Sequence, residues 1–135
     1  MSLFQIFNVA GSGMSAQSIR LNTTASNLAN SESVSGSEET AYKARHPVFS
    51  TVLDAEQNST VGVKVLDIVE SQATPRKQYE PDNPLADEQG YVYLPNVNPI
   101  SEMANMISAS RSYQNNVEVM NTSKQLILST LRLGE

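Results

Sequence analysis

The stretch Asn98–Gly134, NPISEMANMISASRSYQNNVEVMNTSKQLILSTLRLG, decides what the rest of the chain can be. After Pro99 it holds no further proline, and no glycine before Gly134. Asn98 is a good N-cap, because its short side chain accepts from the free amides of a first helical turn. Pro99 suits the opening position, whose N–H would go unbonded anyway. Glu102 and Arg132 lie at the ends where the helix dipole favours each charge, and Gly134 is placed to stop the run. The spacing predicts one helix from Pro99 to Leu133, roughly 50 Å long at about 1.5 Å per residue. A globule of 135 residues could not cover it.

Its apolar residues repeat every seven. Met103, Val117 and Leu131 form one column, interrupted by Ser110 and Lys124; Met106, Tyr113, Met120 and Ile127 form the other. Ile107, Ala109, Leu126 and Leu128 widen the stripe. A sustained heptad calls for a partner helix.

The N-terminus offers one. Ser2-Leu3-Phe4-Gln5 matches a capping box, and Phe7, Met14, Leu21 and Leu28 then recur at intervals of seven. Gly11 and Gly13 each cost about 1 kcal/mol inside a helix, so they mark either a bend or the close approach of another backbone. From Ser2 to Asn30 the only charge is Arg20, while thirteen of the 29 residues are Ser, Thr, Asn or Gln. A solvent-facing helix ordinarily carries Lys and Glu. Small neutral polar groups can instead be covered by protein without stranding a charge. They are also mediocre helix formers. The expectation is an arm that is weakly helical alone and surrounded by protein when at work.

Between these arms lies extended structure. Asn30–Thr40 reads as a loop, rich in Ser, Glu and Gly. Tyr42–Leu53 can form a strand that Pro47 confines to an edge or an end. Val61, Val63 and Val65 alternate, and the phase changes into Leu66, Ile68 and Val69, which points to a strand bulged near Val65-Leu66. Ala73–Gln89, with three prolines and many carboxylates, reads as a turn-rich connection. Tyr91–Leu94 is a short strand ended by Pro95. The fold expected is mainly α with a small β-module, the long N- and C-terminal helices pairing as a coiled-coil-like stalk. Three parts follow: an N-terminal helical arm (1–30), a central loop-rich β-module (31–97), and a C-terminal helix (98–135) pairing with the first arm.

Composition removes several function classes. A net charge of −5 and no basic run argue against nucleic acid. With no cysteine there is neither disulfide nor thiol chemistry. Neither a membrane-spanning stretch nor a secretory signal peptide is expected. Gly11-Ser12-Gly13 follows no strand and lacks the ending of a phosphate loop. His46, the single histidine, precedes a proline and reads as a strand-edge residue. Asp82, Asp87 and Glu88 do not have calcium-loop spacing. No enzyme, cofactor, metal or small-molecule substrate is expected.

Two sets of residues carry a resemblance. Ser26-Asn27-Leu28-Ala29-Asn30, followed by Tyr42-Lys43, is similar to the signature of the bacterial flagellar rod and hook axial proteins. The long Ser31–Ala41 insertion resembles the proximal-rod members of that family. Asp82-Asn83-Pro84, Ala86–Val92 and the Leu94–Asn98 run with Asn96 and Asn98 look like the segment before their last helix. Ile107–Val119, with Ser110, Arg111 and Tyr113, and Asn121–Gln125 continue the match along the helix. The resemblance implies a subunit of the basal-body rod, the drive shaft through the periplasm, built by self-assembly for motility. It implies passage through the flagellar type III export apparatus without a cleaved signal. The implied partners are copies of itself, other rod proteins and a FliE-type adaptor at the membrane ring. The expected assembly interface is Phe7, Met14, Leu21 and Leu28 on the first helix. On the second it is Met103, Tyr113, Val117, Met120, Ile127 and Leu131. Two alternatives stay open at this point: a different rod or hook subunit, and a peptidoglycan-binding module acting through the acidic Ala73–Gln89 loop.

Overall fold

The computed structural model describes residues 3–54 and 59–134. Their order is α1 (Leu3–Ala29), β1 (Arg45–Asp54), β2 (Ser59–Glu70), β3 (Arg76–Tyr79), β4 (Tyr91–Leu94) and α2 (Pro99–Leu133). The fold is two terminal helices with a few antiparallel strands between them. The expected capping box depends on Ser2, which lies outside the described residues.

α2 begins and ends for local reasons. The Asn98 side chain accepts from the amides of Ile100 at 3.1 Å and Ser101 at 3.2 Å, the bonds expected of an N-cap. At the far end the Gly134 amide donates to the Leu131 carbonyl at 3.2 Å. Gly134 has φ −88°, so the stop does not use the left-handed conformation. Among the described residues the glycine with positive φ is Gly90, at 82° in the turn before β4.

α1 and α2 run antiparallel. Asn27 meets Glu102 near one end, Arg20 meets Asn105 further along, and Gly13 and Gly11 face Asn116 and Met120. The two glycines do not bend α1, which is unbroken from Leu3 to Ala29. The atoms nearest to them belong to side chains of α2. A Cβ on Gly13 would sit 2.9 Å from Asn116 Nδ2, and one on Gly11 would sit 3.6 Å from Met120 Cε. They make room for side chains of α2.

The strands form two separate two-stranded sheets. In the β1–β2 hairpin Val48 pairs with Asp67 and Phe49 with Val65, which leaves Leu66 as the extra residue. The bulge lies where the change of alternation places it. A second irregularity leaves out Val61, between Val52↔Gly62 and Leu53↔Thr60. The hairpin lies along α1. The Val63 amide donates to Ser12 Oγ at 3.1 Å, and a Cβ on the buried Gly62 would come within 2.6 Å of that oxygen. Any Cβ there would displace the Ser12 hydroxyl and with it the bond from the Val63 amide.

β3 corrects the expectation of an extended, turn-rich connection over Ala73–Gln89, because four residues there pair as a strand. Its RKQY sequence has no apolar alternation and all four residues are exposed, so its pairing comes from β4. β4 also bridges Ser35 through mutual 2.9 Å backbone bonds, which pins the 31–41 loop. The interior is thin. Its buried apolar residues are Ala10, Ala16, Ala41, Ala44, Val92, Val97 and Ala109, with Pro95 beside them. Alanines bury little apolar area, so polar bonds carry much of the burden of specifying this chain.

Candidate assembly surface

The polar bonds converge where α1 ends, β1 begins and α2 begins. Asn27 is fully buried and uses its whole hydrogen-bonding capacity. Its Nδ2 donates to the Arg45 carbonyl at 2.8 Å and to Glu102 Oε2 at 2.9 Å. Its Oδ1 accepts from the Arg45 amide at 2.9 Å and from the Tyr42 hydroxyl at 3.0 Å. Since Tyr42 donates there, the 3.1 Å contact with Ser26 is donated by the serine. One amide thereby joins a helix end, a strand start and a second helix.

Glu102 is only 4 % exposed and has no ion pair among the described residues. A buried carboxylate in that position needs hydrogen bonds and a favourable field. Asn27 supplies one bond, Asn105 Nδ2 approaches Oε1 at 3.5 Å, and the N-terminal turn of α2 supplies the field. Arg20 donates to Asn105 Oδ1 at 3.2 Å, so the one charge on α1 points into the pair. Asn96 makes a second tie. Its Oδ1 accepts from the Ala44 amide at 2.7 Å, while Nδ2 donates to the carbonyls of Ala73 at 2.7 Å and Ser71 at 3.3 Å.

The family-motif residues therefore divide. Ser26, Asn27, Tyr42, Asn96 and Asn98 hold the junction, and Asn30 closes the end of α1 by donating to the Ser26 carbonyl at 2.8 Å. Leu28 and Ser110 are half-buried, while Ala29, Arg111, Tyr113 and Asn121 are exposed.

The apolar columns divide as well. Facing α1, α2 presents Glu102, Ala109 and Ser123, all buried, with Asn116 half-buried, at intervals of seven. This small and polar column was invisible to a reading that followed apolar residues. Beside it Met106, Met120 and Ile127 are half-buried, as is Val117. Met103 and Leu131 face outward, with Leu131 63 % exposed. On α1 Gly11, Gly13, Arg20 and Asn27 meet α2, while Phe7, Met14, Leu21 and Leu28 are half-buried. The exposed residues of α1 are Phe4, Asn8, Val9, Ser15, Ser18, Asn22, Ala25 and Ala29, none of them charged.

Exposed apolar side chains lie on the β1–β2 hairpin (Phe49, Leu53, Leu66 and Ile68 among them) and along α2. Ile100 is 76 % exposed at its start, with Met103 and Ile107 following; Leu126, Leu131 and Leu133 are exposed at its finish. At that finish Phe4, Phe7 and Asn8 of α1 and Lys124, Ile127 and Leu128 of α2 line an open cleft of about 440 Å³. No such exposure belongs to a finished monomer surface. Among the described residues, no helix is long and apolar enough to cross a membrane, and no group of three or more metal-ligating side chains occurs.

Comparison with known proteins bears on what covers these faces. Residues 7–36 match a family model described as flagella basal body rod protein, and residues 88–133 match one described as flagellar basal body rod FlgEFG protein C-terminal. The chain is 55 % identical over 135 residues to the flagellar basal-body rod protein FlgC of Escherichia coli O6:H1, covering all of both chains. It is 53 % identical to that of Salmonella typhimurium, again over the whole of both. It is 44 % identical over 130 residues, or 96 % of each chain, to the flagellar basal-body rod protein FlgC of Aquifex aeolicus.

Proposed function

Because the chain belongs to the FlgC family of flagellar basal-body rod proteins, it is a structural subunit of that rod, and we propose that its unpartnered helix faces are the surfaces on which the rod assembles. Its place is the flagellar basal body, where it assembles with its own kind and with other flagellar components. It is not an enzyme.

The finer reading has three parts. Residues 1–30 and 98–135 act as a coiled-coil-like stalk, and residues 31–97 as a β-module carried on it. Within one chain Met106, Met120 and Ile127 support the stalk. Phe7, Met14, Leu21, Leu28, Met103, Tyr113, Val117 and Leu131 are completed by neighbours. The subunit leaves the cytoplasm through the flagellar type III apparatus without a cleaved signal, in a largely unfolded form. Weak helicity in the Ser- and Asn-rich α1 suits that passage. It then takes its place in the proximal rod within the periplasm, against other rod proteins and a FliE-type adaptor. Torque passes through interlocked side chains, with no chemistry involved.

The observation that carries this reading is the outward apolar face of α2, from Ile100 to Leu131, on a chain whose own core is mostly alanine. A heterologous contact that does not close generates a helical array. The test is a chromosomal deletion examined by electron cryotomography. Motors should lack a rod beyond the membrane ring, and complete rotating flagella would overturn the proposal. Order on assembly is tested separately by NMR, where residues 3–28 of the dilute chain should exchange between conformers. A rigid helix there would remove that part.

A further inference from the structure

The apolar columns of the two helices cannot fix how far one is slid along the other. They repeat every seven residues, so a slip of one heptad sets Tyr113 where Met106 stood and Met120 where Tyr113 stood. The seam between the helices does not repeat in that way. Asn27 bonds Glu102, and fourteen residues back along α1 Gly13 meets Asn116, fourteen residues on along α2. That spacing sets Arg20 level with Ala109, and Ile6 level with Ser123. Ala109 and Ser123 are 0 % and 4 % exposed, so the α2 side of both layers is covered. A large side chain thus stands level with a small one in three successive layers. Only at Gly13 is the small member on α1.

Either slip of one heptad destroys this fit. Gly13 then meets Ala109 or Ser123, small against small, and a void opens. Asn116 meets Ile6 or Arg20, large against large. Asn27 and Glu102 part in both cases, and a buried amide or carboxylate that loses its bond is costly.

We infer that the seam of Gly13, Arg20 and Asn27 against Asn116, Ala109 and Glu102 is a register key. It selects one axial setting of the helical pair from several that the apolar columns allow. A buried polar residue in a helical seam can select register in this way, at some cost in stability. Resting on the reading of the chain as a rod subunit, the same key serves assembly. A slip moves Met103 and Ile107 of α2 about 10 Å relative to the exposed Phe4 and Val9 of α1, at about 1.5 Å per residue. A neighbour shaped to both helices would no longer fit.

The chain has no cysteine, so Ser18→Cys with Ser129→Cys places a single nitroxide pair on exposed sites of α1 and α2. Double electron–electron resonance on the purified full chain should give one distance. Gly13→Leu crowds Asn116 and should add a second distance, about 10 Å from the first. Adding Asn116→Gly exchanges the large and small members of that layer and should restore the single native distance. A native distance alone in Gly13→Leu, or a second distance that survives Asn116→Gly, overturns the key. Should Gly13→Leu fail to fold, rescue by Asn116→Gly supports the key and failure of rescue overturns it. Met106→Ala, which cuts an apolar column, should lower the urea midpoint and keep one distance. A second distance there would return register to the apolar columns. In cells, Gly13→Leu should abolish swimming haloes and the added Asn116→Gly should restore them. Native register without restored motility would overturn the link to assembly. Absence of the unaltered chain from basal bodies would instead overturn the rod reading itself.

Discussion

The junction and the tip of the helical pair are built on opposite terms. At the junction Asn27, Tyr42, Glu102 and Asn96 are tied to one another and to the backbone, and every bond closes within the chain. At the tip, Phe4, Leu131 and Leu133 are more than half exposed, and Phe4 lines an open cleft. Polar groups are hidden where apolar ones are customary, and apolar groups are exposed where charges are customary. A buried polar network accepts only one geometry, because an unmet bond is costly. An apolar surface accepts any partner of the right shape. The chain therefore fixes its own geometry with hydrogen bonds and leaves its hydrophobic area for the contacts it makes with others.

The sharpest break in that comparison is Asn27→Ala. It strands the Arg45 amide and carbonyl and removes a donor from the buried Glu102 carboxylate. A loss on the order of 3 kcal/mol or more is expected, from unmet buried groups and a less compensated charge. Urea unfolding followed by circular dichroism measures it. A loss below about 1 kcal/mol would mean the junction does not hold the chain together.

The paired glycines sharpen the comparison further along the stalk. Gly11→Ala adds a methyl group at ordinary contact distance from Met120, so helix propensity alone should stabilise the chain by about 1 kcal/mol. Gly13→Ala places its methyl against Asn116 and should gain nothing or lose stability. Combined with Asn116→Ala it should recover most of the gain. Equal unfolding midpoints for the two single variants would show that α2 is not seated on Gly13.

These positions also show what could be read from residues alone. Both helices, the Asn98 cap, the bulge at Leu66 and β4 were legible, because each rests on a local pattern. The column Met106, Met120, Ile127 was legible as apolar periodicity. The column Glu102, Ala109, Asn116, Ser123 was not, since nothing about a glutamate or a serine announces that it faces a helix. Asn27 stood out through resemblance, yet its bonds to Arg45 and Glu102 span 18 and 75 residues and exist only once the chain is folded. β3 was missed because its partner makes it a strand. Apolar periodicity identified surfaces that need cover, without saying whether the cover comes from the same chain.

At the tip, effects on stability should be small and effects on assembly large. Phe4→Ser and Leu131→Ser change side chains 73 % and 63 % exposed, so the unfolding free energy should move by less than about 0.5 kcal/mol. Swimming haloes in soft agar should nevertheless shrink, with fewer complete rods per cell. Normal motility in both variants would leave the exposed end without a role.

The smallest effect belongs to Asp87, in the turn that leads into β4, where pH is the variable. Its carboxyl is held below the ordinary aspartate value chiefly by the backbone amide of Tyr91. Partial desolvation opposes that, while the Gln89 amide, the Tyr93 hydroxyl and the charge of Lys77 add to it. The same oxygen, Oδ1, accepts from Gln89 and Tyr91, each at 2.9 Å. A pKa lowered by folding means that the folded turn favours the carboxylate. The stabilisation is then complete above the unfolded aspartate value and fades as pH falls through the folded one. Amide exchange at Gln89 and Tyr91 should stay slow from neutrality down to the ordinary carboxylate range, then quicken below it, relative to other amides of β4. Asp87→Asn should abolish the extra acceleration without touching the Asn27 junction. If both regions loosened together under acid, the loop would not be an independent element, and the junction could not be treated as closed on itself.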